Sequence, residues 1–317
     1  MARIGNAVGR YLDPEVLVRV GRLDVASRLA ADSFLSGKHR SVRKGFSSEF
    51  SDYRNYSPGD DVSDIDWRVY ARTDKYYMKC FESETSMRCV LAVDGSASMA
   101  YRSSRGLVAK NRYAGLIAAT VAYLLHRQRD RVGLALFDDR LRRMVPPKSR
   151  KSHFYSILEL LSAETEQPVA GEAARGLHEL AANLTRRGMV VVLSDLLIAA
   201  GEDLIRGIEH LAYRGQDVLV LQILDPAEVN VFMPAGGVVR EPESGREYQV
   251  DGFSAARCRE ALKNLLDGYR RRFHALGVDY ALMTTETPFD RALASFLAAR
   301  RQHRRGGRRA AVKRRRA

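Results

Sequence analysis

The sequence predicts an α/β protein built on a doubly wound, mainly parallel sheet, and three observations predict it. Val90-Leu91-Ala92-Val93 and Met189-Val190-Val191-Val192-Leu193 are short continuous apolar runs, the pattern of strands buried on both faces. From about residue 111 onward, such runs alternate with segments of helix length, as a parallel sheet covered on both sides requires. Both runs lead into an Asp, Asp94 and Asp195, and the carboxyl ends of strands are where open α/β sheets place their ligands.

The elements follow in order. Asp13-Pro14 supplies an N-cap with proline in the first turn, and Leu17, Val20, Leu23 and Leu29 continue mostly at spacings of three and four, which predicts a helix over 13–36. From Gly37 to about Glu84 the chain is charged and loop-rich with short strands; Ser57-Pro58-Gly59-Asp60 is a turn signal, and Tyr76–Phe81 alternates as a strand. The segment 111–128 carries Ala, Leu, Ile and Val on every side, as a buried helix does. Arg131–Phe137 reads as a strand, with a short partner at Arg142–Val145 reached through Asp138-Asp139. Helices are expected at about 152–163, 172–186 and 202–213, and strands at 189–195 and 217–224. Residues 226–252 carry Pro226, Pro234, Gly236, Gly237, Pro242 and Gly245, the marks of a hairpin-like excursion. A helix at 254–275, the strand Val278–Met283 and a helix at 288–300 complete the body. The organisation expected is an N-terminal region at 1–86, a main α/β domain at 87–300 and a basic tail at 301–317.

Composition narrows the class. A hydrophobic fraction of 45% is ordinary for a soluble globular chain. No run approaches the length of a membrane span, and the N-terminus lacks the apolar core of a signal peptide. Cys80, Cys89 and Cys258 form no Cys-x-x-Cys pair and read as reduced, mostly buried thiols, so a cytoplasmic location is expected. The net charge of +14 is concentrated: ten Arg or Lys and no acid lie in residues 300–317, which leaves +4 on the rest. Such a block is suited to nonspecific contact with nucleic acid or an anionic membrane, including peripheral contact with the inner membrane. It has no aromatic residues for base stacking, so sequence-specific reading is not expected.

The chemistry-bearing segment is Asp94-Gly95-Ser96-Ala97-Ser98. It offers three hard oxygens within five residues, chemistry suited to Mg²⁺ or Mn²⁺ rather than zinc. The plainer reading is a polar turn in which Ser and Asp cap the next helix. If the strands leading to Asp94 and Asp195 are neighbours, two unpaired carboxylates meet at one rim, and a bound cation relieves their repulsion.

Further motifs run in order along nearly the whole chain. They are Gly37-Lys38-His39-Arg40-Ser41, Gly45-Phe46 with Glu49-Phe50, Tyr53-Arg54-x-Tyr56, Pro58-Gly59-Asp60-Asp61, Ile65-Asp66-Trp67, Ala71-Arg72-Thr73-Asp74, Lys79-x-Phe81-Glu82-x-Glu84, Asp94-x-Ser96-x-Ser98-Met99, Asp130-Arg131-Val132-Gly133, Ser194-Asp195 and Leu224-Asp225-Pro226. With them the chain resembles the domain of unknown function 58 family, whose core resembles a von Willebrand factor type A domain. The resemblance implies a Rossmann-like sheet ordered 3-2-1-4-5-6, here following the N-terminal helix and loop-rich extension read from the residues. It also implies a metal-ion-dependent adhesion site, with Asp94, Ser96 and Ser98 as loop ligands and Asp195 bound directly or through water. There the metal keeps a position open for a partner's carboxylate. The family pattern normally adds a Thr hydroxyl in a loop that here reads Pro168-Val169-Ala170-Gly171-Glu172-Ala173. Glu172 either replaces it or caps a helix N-terminus, and without the hydroxyl the metal site is expected to be weak or absent. Val62-Ser63-Asp64 also departs from a pattern that is usually basic at that point.

For the cluster of Asp60, Asp61, Asp66 and Trp67, the structural reading is a charge network with Arg54, Arg68 and Arg72, anchored by Trp67 and pinning the N-terminal region onto the sheet. The functional reading is a recognition surface. The resemblance implies a non-enzymatic adaptor working beside a MoxR-type AAA+ ATPase in assembling or activating client proteins. The alternative is a Mg-dependent hydrolase or phosphotransferase using Asp94. Against it stand the lack of a phosphate loop, of His-Glu-x-x-His and of Gly-x-Ser-x-Gly, and seven histidines scattered without ligand spacing.

Overall fold

The structure, a computed structural model, describes residues 50–56, 65–81, 87–104, 107–164, 174–197, 201–230, 238–240, 246–249 and 254–297. The helix expected over 13–36, the Asp60-Asp61 pair, Glu172 and the basic tail lie outside them. Two compact units are present, one spanning Lys38–Ser86 and one holding everything described from Met87 onward.

In the smaller unit, β1 (Phe50–Asn55) pairs antiparallel with β2 (Tyr77–Phe81). Between them lies a helix that was read as part of the loop-rich region, α1 (Trp67–Thr73). Asp66 starts it as an N-cap, its carboxylate accepting from the Val69 N–H at 3.4 Å. Asp74 ends it in the left-handed region at φ 50°, donating its N–H to Tyr70. Tyr70 stacks on Tyr76 at 4.6 Å between ring centroids, and Trp67 meets Tyr70 edge-on. Trp67 is 58% exposed, so it does not anchor buried packing; the structural reading of this residue is corrected.

In the larger unit, alternation of side chains along each strand decides the architecture. On β3 (Arg88–Asp94), Leu91 and Val93 face one core while Val90 and Ala92 face another. The same division holds on β4 (Arg131–Phe137), β6 (Met189–Ser194) and β7 (Asp217–Leu224). One face is covered by α2 (Lys110–Arg127), α3 (Lys151–Glu164) and the helix at 289–297. The other is covered by α4 (Ala174–Asn183), α5 (Gly201–Tyr213) and α7 (Ser254–Leu276). Burial on both sides is what the uninterrupted Val/Leu/Ala runs require.

The sheet has six strands in the order β10-β7-β6-β3-β4-β5, with β5 at Leu141–Lys148 and β10 at Asp279–Thr284. All neighbours are parallel except β4 and β5. Renumbered within the sheet, this is 3-2-1-4-5-6, the order the resemblance implies. Edge strand β5 carries Pro146-Pro147 and several cations, devices that discourage edge-to-edge pairing. After β7 come the short α6 (Pro226–Asn230) and a small antiparallel pair, β8 (Val238–Arg240) with β9 (Glu247–Gln249), where the hairpin-like excursion was expected. Cys89 is buried and Cys258 exposed, so the expectation of mostly buried thiols fails for Cys258. No described helix is long and apolar enough to cross a membrane.

Candidate functional site

Four adjacent strands of this sheet end in a buried Asp. In sheet order, Asp225 follows β7, Asp195 follows β6, Asp94 closes β3 and Asp138 follows β4, and none is more than 2% exposed. The parallel arrangement puts all four at the carboxyl edge, so sequence-predicted Asp94 and Asp195 do belong to one rim. Each Asp is stabilised differently.

Asp225 accepts two backbone N–H groups, from Ser103 at 3.0 Å and Ala227 at 2.8 Å. Asp138 pairs with the Arg142 guanidinium and accepts the Arg140 N–H. Burial, and a hydrogen bond with Asp139, push the Asp138 carboxyl up to about 6. Asp195 Oδ2 is 2.7 Å from Lys110 Nζ, and its Oδ1 accepts the Leu197 N–H at 3.1 Å. Lys110 is also 2.6 Å from Glu228 Oε1. Burial pulls the Lys110 ammonium down, but the two carboxylates outweigh it and hold it above its ordinary value.

Asp94, which like Asp225 is held only by uncharged donors, differs in facing a neighbouring carboxylate, Asp195. Asp94 Oδ1 accepts the Ser96 N–H at 2.9 Å and its Oδ2 accepts the Ser194 hydroxyl. Among the described residues no cation is bonded to it. Burial, then repulsion from Asp195, push its carboxyl up to about 7, against the hydrogen bonds from Ser194 and Ser96. A carboxylate that is desolvated, faces a like charge and has no counter-ion is the place where an added cation gains most.

The surrounding loops hold these groups in place. Gly95 donates its N–H to Phe137 O at 2.8 Å, tying the Asp94 turn to the end of β4. The 3₁₀ turn at Ala97–Ala100 follows Ser96, whose hydroxyl lies 3.2 Å from that of Ser98. Leu196 adopts φ 53°, a strained conformation for a branched side chain. It is fixed by Tyr269, which donates its hydroxyl to Leu196 O at 3.0 Å, and by Ser194, which accepts the Leu196 N–H at 3.1 Å. Gln222 donates to Asp195 O at 2.7 Å and accepts from Tyr280.

The donor chemistry fits a hard divalent ion at Asp94, Ser96 and Ser98, which supply an anionic and two hydroxyl oxygens from one turn. A void of about 20 Å³, enough for one water, touches Asp94 and Ser96 on the β4 side, with Asn111, Asp138 and Arg142 on its other walls. Among the described residues no three His, Cys, Asp or Glu side chains converge as a metal cage. The hydroxyls would therefore have to carry much of any coordination.

One premise drawn from the sequence is corrected. Asp195 is not an unpaired carboxylate awaiting a metal, because Lys110 already balances it. Sequence reading missed Lys110, which stands just before the helix expected at 111–128 and carries no motif signature. It also quoted Ser194 without giving it the role of bonding Asp94. The strand register contained that signal: Val93 aligns with Leu193, so the next residues in line are Asp94 and Ser194.

The chain is similar to several known proteins. A curated relative, the uncharacterized protein Rv1480 of Mycobacterium tuberculosis, is 27% identical over 295 residues, covering 92% of this chain and 91% of its own. Among solved structures, BatB from Bacteroides thetaiotaomicron is similar at 14% identity and a TM-score of 0.42, over 68% of this chain and all of the other. The SpRpn10 VWA domain is similar at 12% identity and a TM-score of 0.35, over 67% of this chain and 94% of the other. A sequence model described as "Protein of unknown function DUF58" matches residues 52–271, a span that includes Asp94, Ser96, Ser98, Lys110 and Asp195. The chain belongs to the DUF58 family, a family of unknown function.

Proposed function

We propose that the protein is a non-enzymatic interaction adaptor whose carboxyl-edge rim is a metal-ion-dependent adhesion-like site. Asp94, Ser96 and Ser98 would hold Mg²⁺ or Mn²⁺, with Asp195 one step removed. When bound, the ion supplies a Lewis-acidic position that a partner's carboxylate completes. The chain's own residues orient that position: Ser194 and the Ser96 N–H fix the Asp94 carboxylate, and Tyr269 and Gln222 hold the Asp195 turn. The observation that carries this reading is Asp94, buried at a strand end beside another carboxylate and bonded to no cation among the described residues.

The partner proposed is a MoxR-type AAA+ ATPase together with a client protein, in assembly or activation of that client. The setting proposed is cytoplasmic, with peripheral contact with the inner membrane through the basic residues 300–317. The test is co-purification of a genomically neighbouring AAA+ ATPase in Mg²⁺. Capture should be lost with Asp94→Ala, Ser96→Ala or EDTA. Capture unchanged in all three would refute the adaptor reading.

A further inference from the structure

Lys110 is placed where helix formation gives no reason for a lysine. It is the first residue of α2, and no side chain caps that helix end. A cation in the first turn also opposes the helix dipole. Full burial adds a desolvation cost that only close, well-bonded partners offset. Those partners are Asp195 at 2.7 Å and Glu228 at 2.6 Å. The far oxygen of Glu228 accepts the Asp225 N–H at 2.8 Å, and the Tyr101 ring lies 5.8 Å from the ammonium. One ammonium thus ties together the loop that follows β6, the short helix α6 that follows β7, and the start of α2.

We infer that Lys110 is a positioning residue that draws Asp195 away from the ion bound at Asp94, Ser96 and Ser98, and thereby weakens that ion's hold. This rests on the metal-site reading above. Asp195 Oδ2 is held by Lys110 and Oδ1 by the Leu197 N–H, so each oxygen keeps a lone pair, but the carboxylate is turned towards the ammonium and shares its charge with it. The consequence is a site of low intrinsic affinity, in which a partner's carboxylate adds an anionic ligand that Asp195 does not supply. Occupancy would then depend on the partner being present.

The test is Mn²⁺ titration, followed by calorimetry and by the electron paramagnetic resonance of free Mn²⁺. It compares wild type, Lys110→Met, and the double variant Lys110→Met/Glu228→Gln. The double variant removes a cation and an anion together, keeping the net charge and sparing Glu228 an unpaired burial, so it decides the matter if the single variant does not fold. Both variants should bind Mn²⁺ at least about tenfold more tightly than wild type, because Asp195 is released towards the ion. Folded variants that bind no more tightly than wild type would overturn the inference while leaving the metal site standing. Tightening in the single variant alone would mark Lys110 as a background charge and overturn its positioning role. Silence from all three proteins at millimolar Mn²⁺ would refute the metal site itself, and this inference with it.

Discussion

Lys110 Nζ lies 2.7 Å from Asp195 Oδ2, and neither side chain has accessible surface. Removing one member of such a pair strands the other charge in a dry environment, which costs about 3–5 kcal/mol. Lys110→Ala should therefore lower unfolding stability by that amount in EDTA, measured by urea denaturation followed by circular dichroism. A loss below about 1 kcal/mol would mean that the pair is solvated, as exposed pairs are.

Asp94 gives the protein a pH dependence of definite sign. Its carboxyl is raised to about 7 in the folded chain, above the value of about 3.9 for an unfolded Asp. Folding thus favours the protonated form. The stability this group contributes is complete below the unfolded value and is lost as pH rises through about 7. In EDTA, Asp94→Asn should narrow the gap in urea midpoint between pH 5 and pH 8, chiefly by raising the midpoint at pH 8. Ser194→Ala removes a hydrogen bond that favours the ionised form, so the loss should then continue to higher pH. Equal slopes for wild type and Asp94→Asn would contradict the assignment.

Gly133 tests how closely β5 lies on β4. A Cβ there would fall 2.5 Å from Val145 O and 2.9 Å from Pro147 N, both backbone atoms that cannot rotate away. Gly133→Ala should cost about 1–3 kcal/mol and reduce amide-exchange protection in β5. Unchanged protection would mean that the edge strand stands further off.

Trp67 is the sole tryptophan, and its 58% exposure predicts emission close to that of a solvated indole. Unfolding in urea should shift the emission maximum little, and Trp67→Ala should change stability by no more than about 0.5 kcal/mol. A strongly blue-shifted native spectrum would restore the anchoring role read from the sequence.

Much of the larger unit was legible because its signals are local and periodic. Continuous Val/Leu/Ala runs identified β3 and β6, and the segment 111–128, with Ala, Leu, Ile and Val on every side, closely anticipated α2. Helix α1 was missed because seven residues carry too little periodicity to stand out from Ile65-Asp66-Trp67-Arg68. Its start depends on the Asp66 cap. The Asp94 turn was readable as three oxygens in five residues, whereas the pairing of Lys110 with Asp195 spans 85 positions and arises only when β6 lies beside β3. A buried lysine looks in sequence like any helix-surface lysine. Its role is fixed by what the topology brings to it.

If the Asp94 turn holds a hard divalent ion, calorimetric titration of Mg²⁺ and Mn²⁺ into the full-length protein at pH 8 should show one saturable site per chain, abolished in Asp94→Ala. Identical heats from the wild type and a folded Asp94→Ala protein would contradict the metal-site reading.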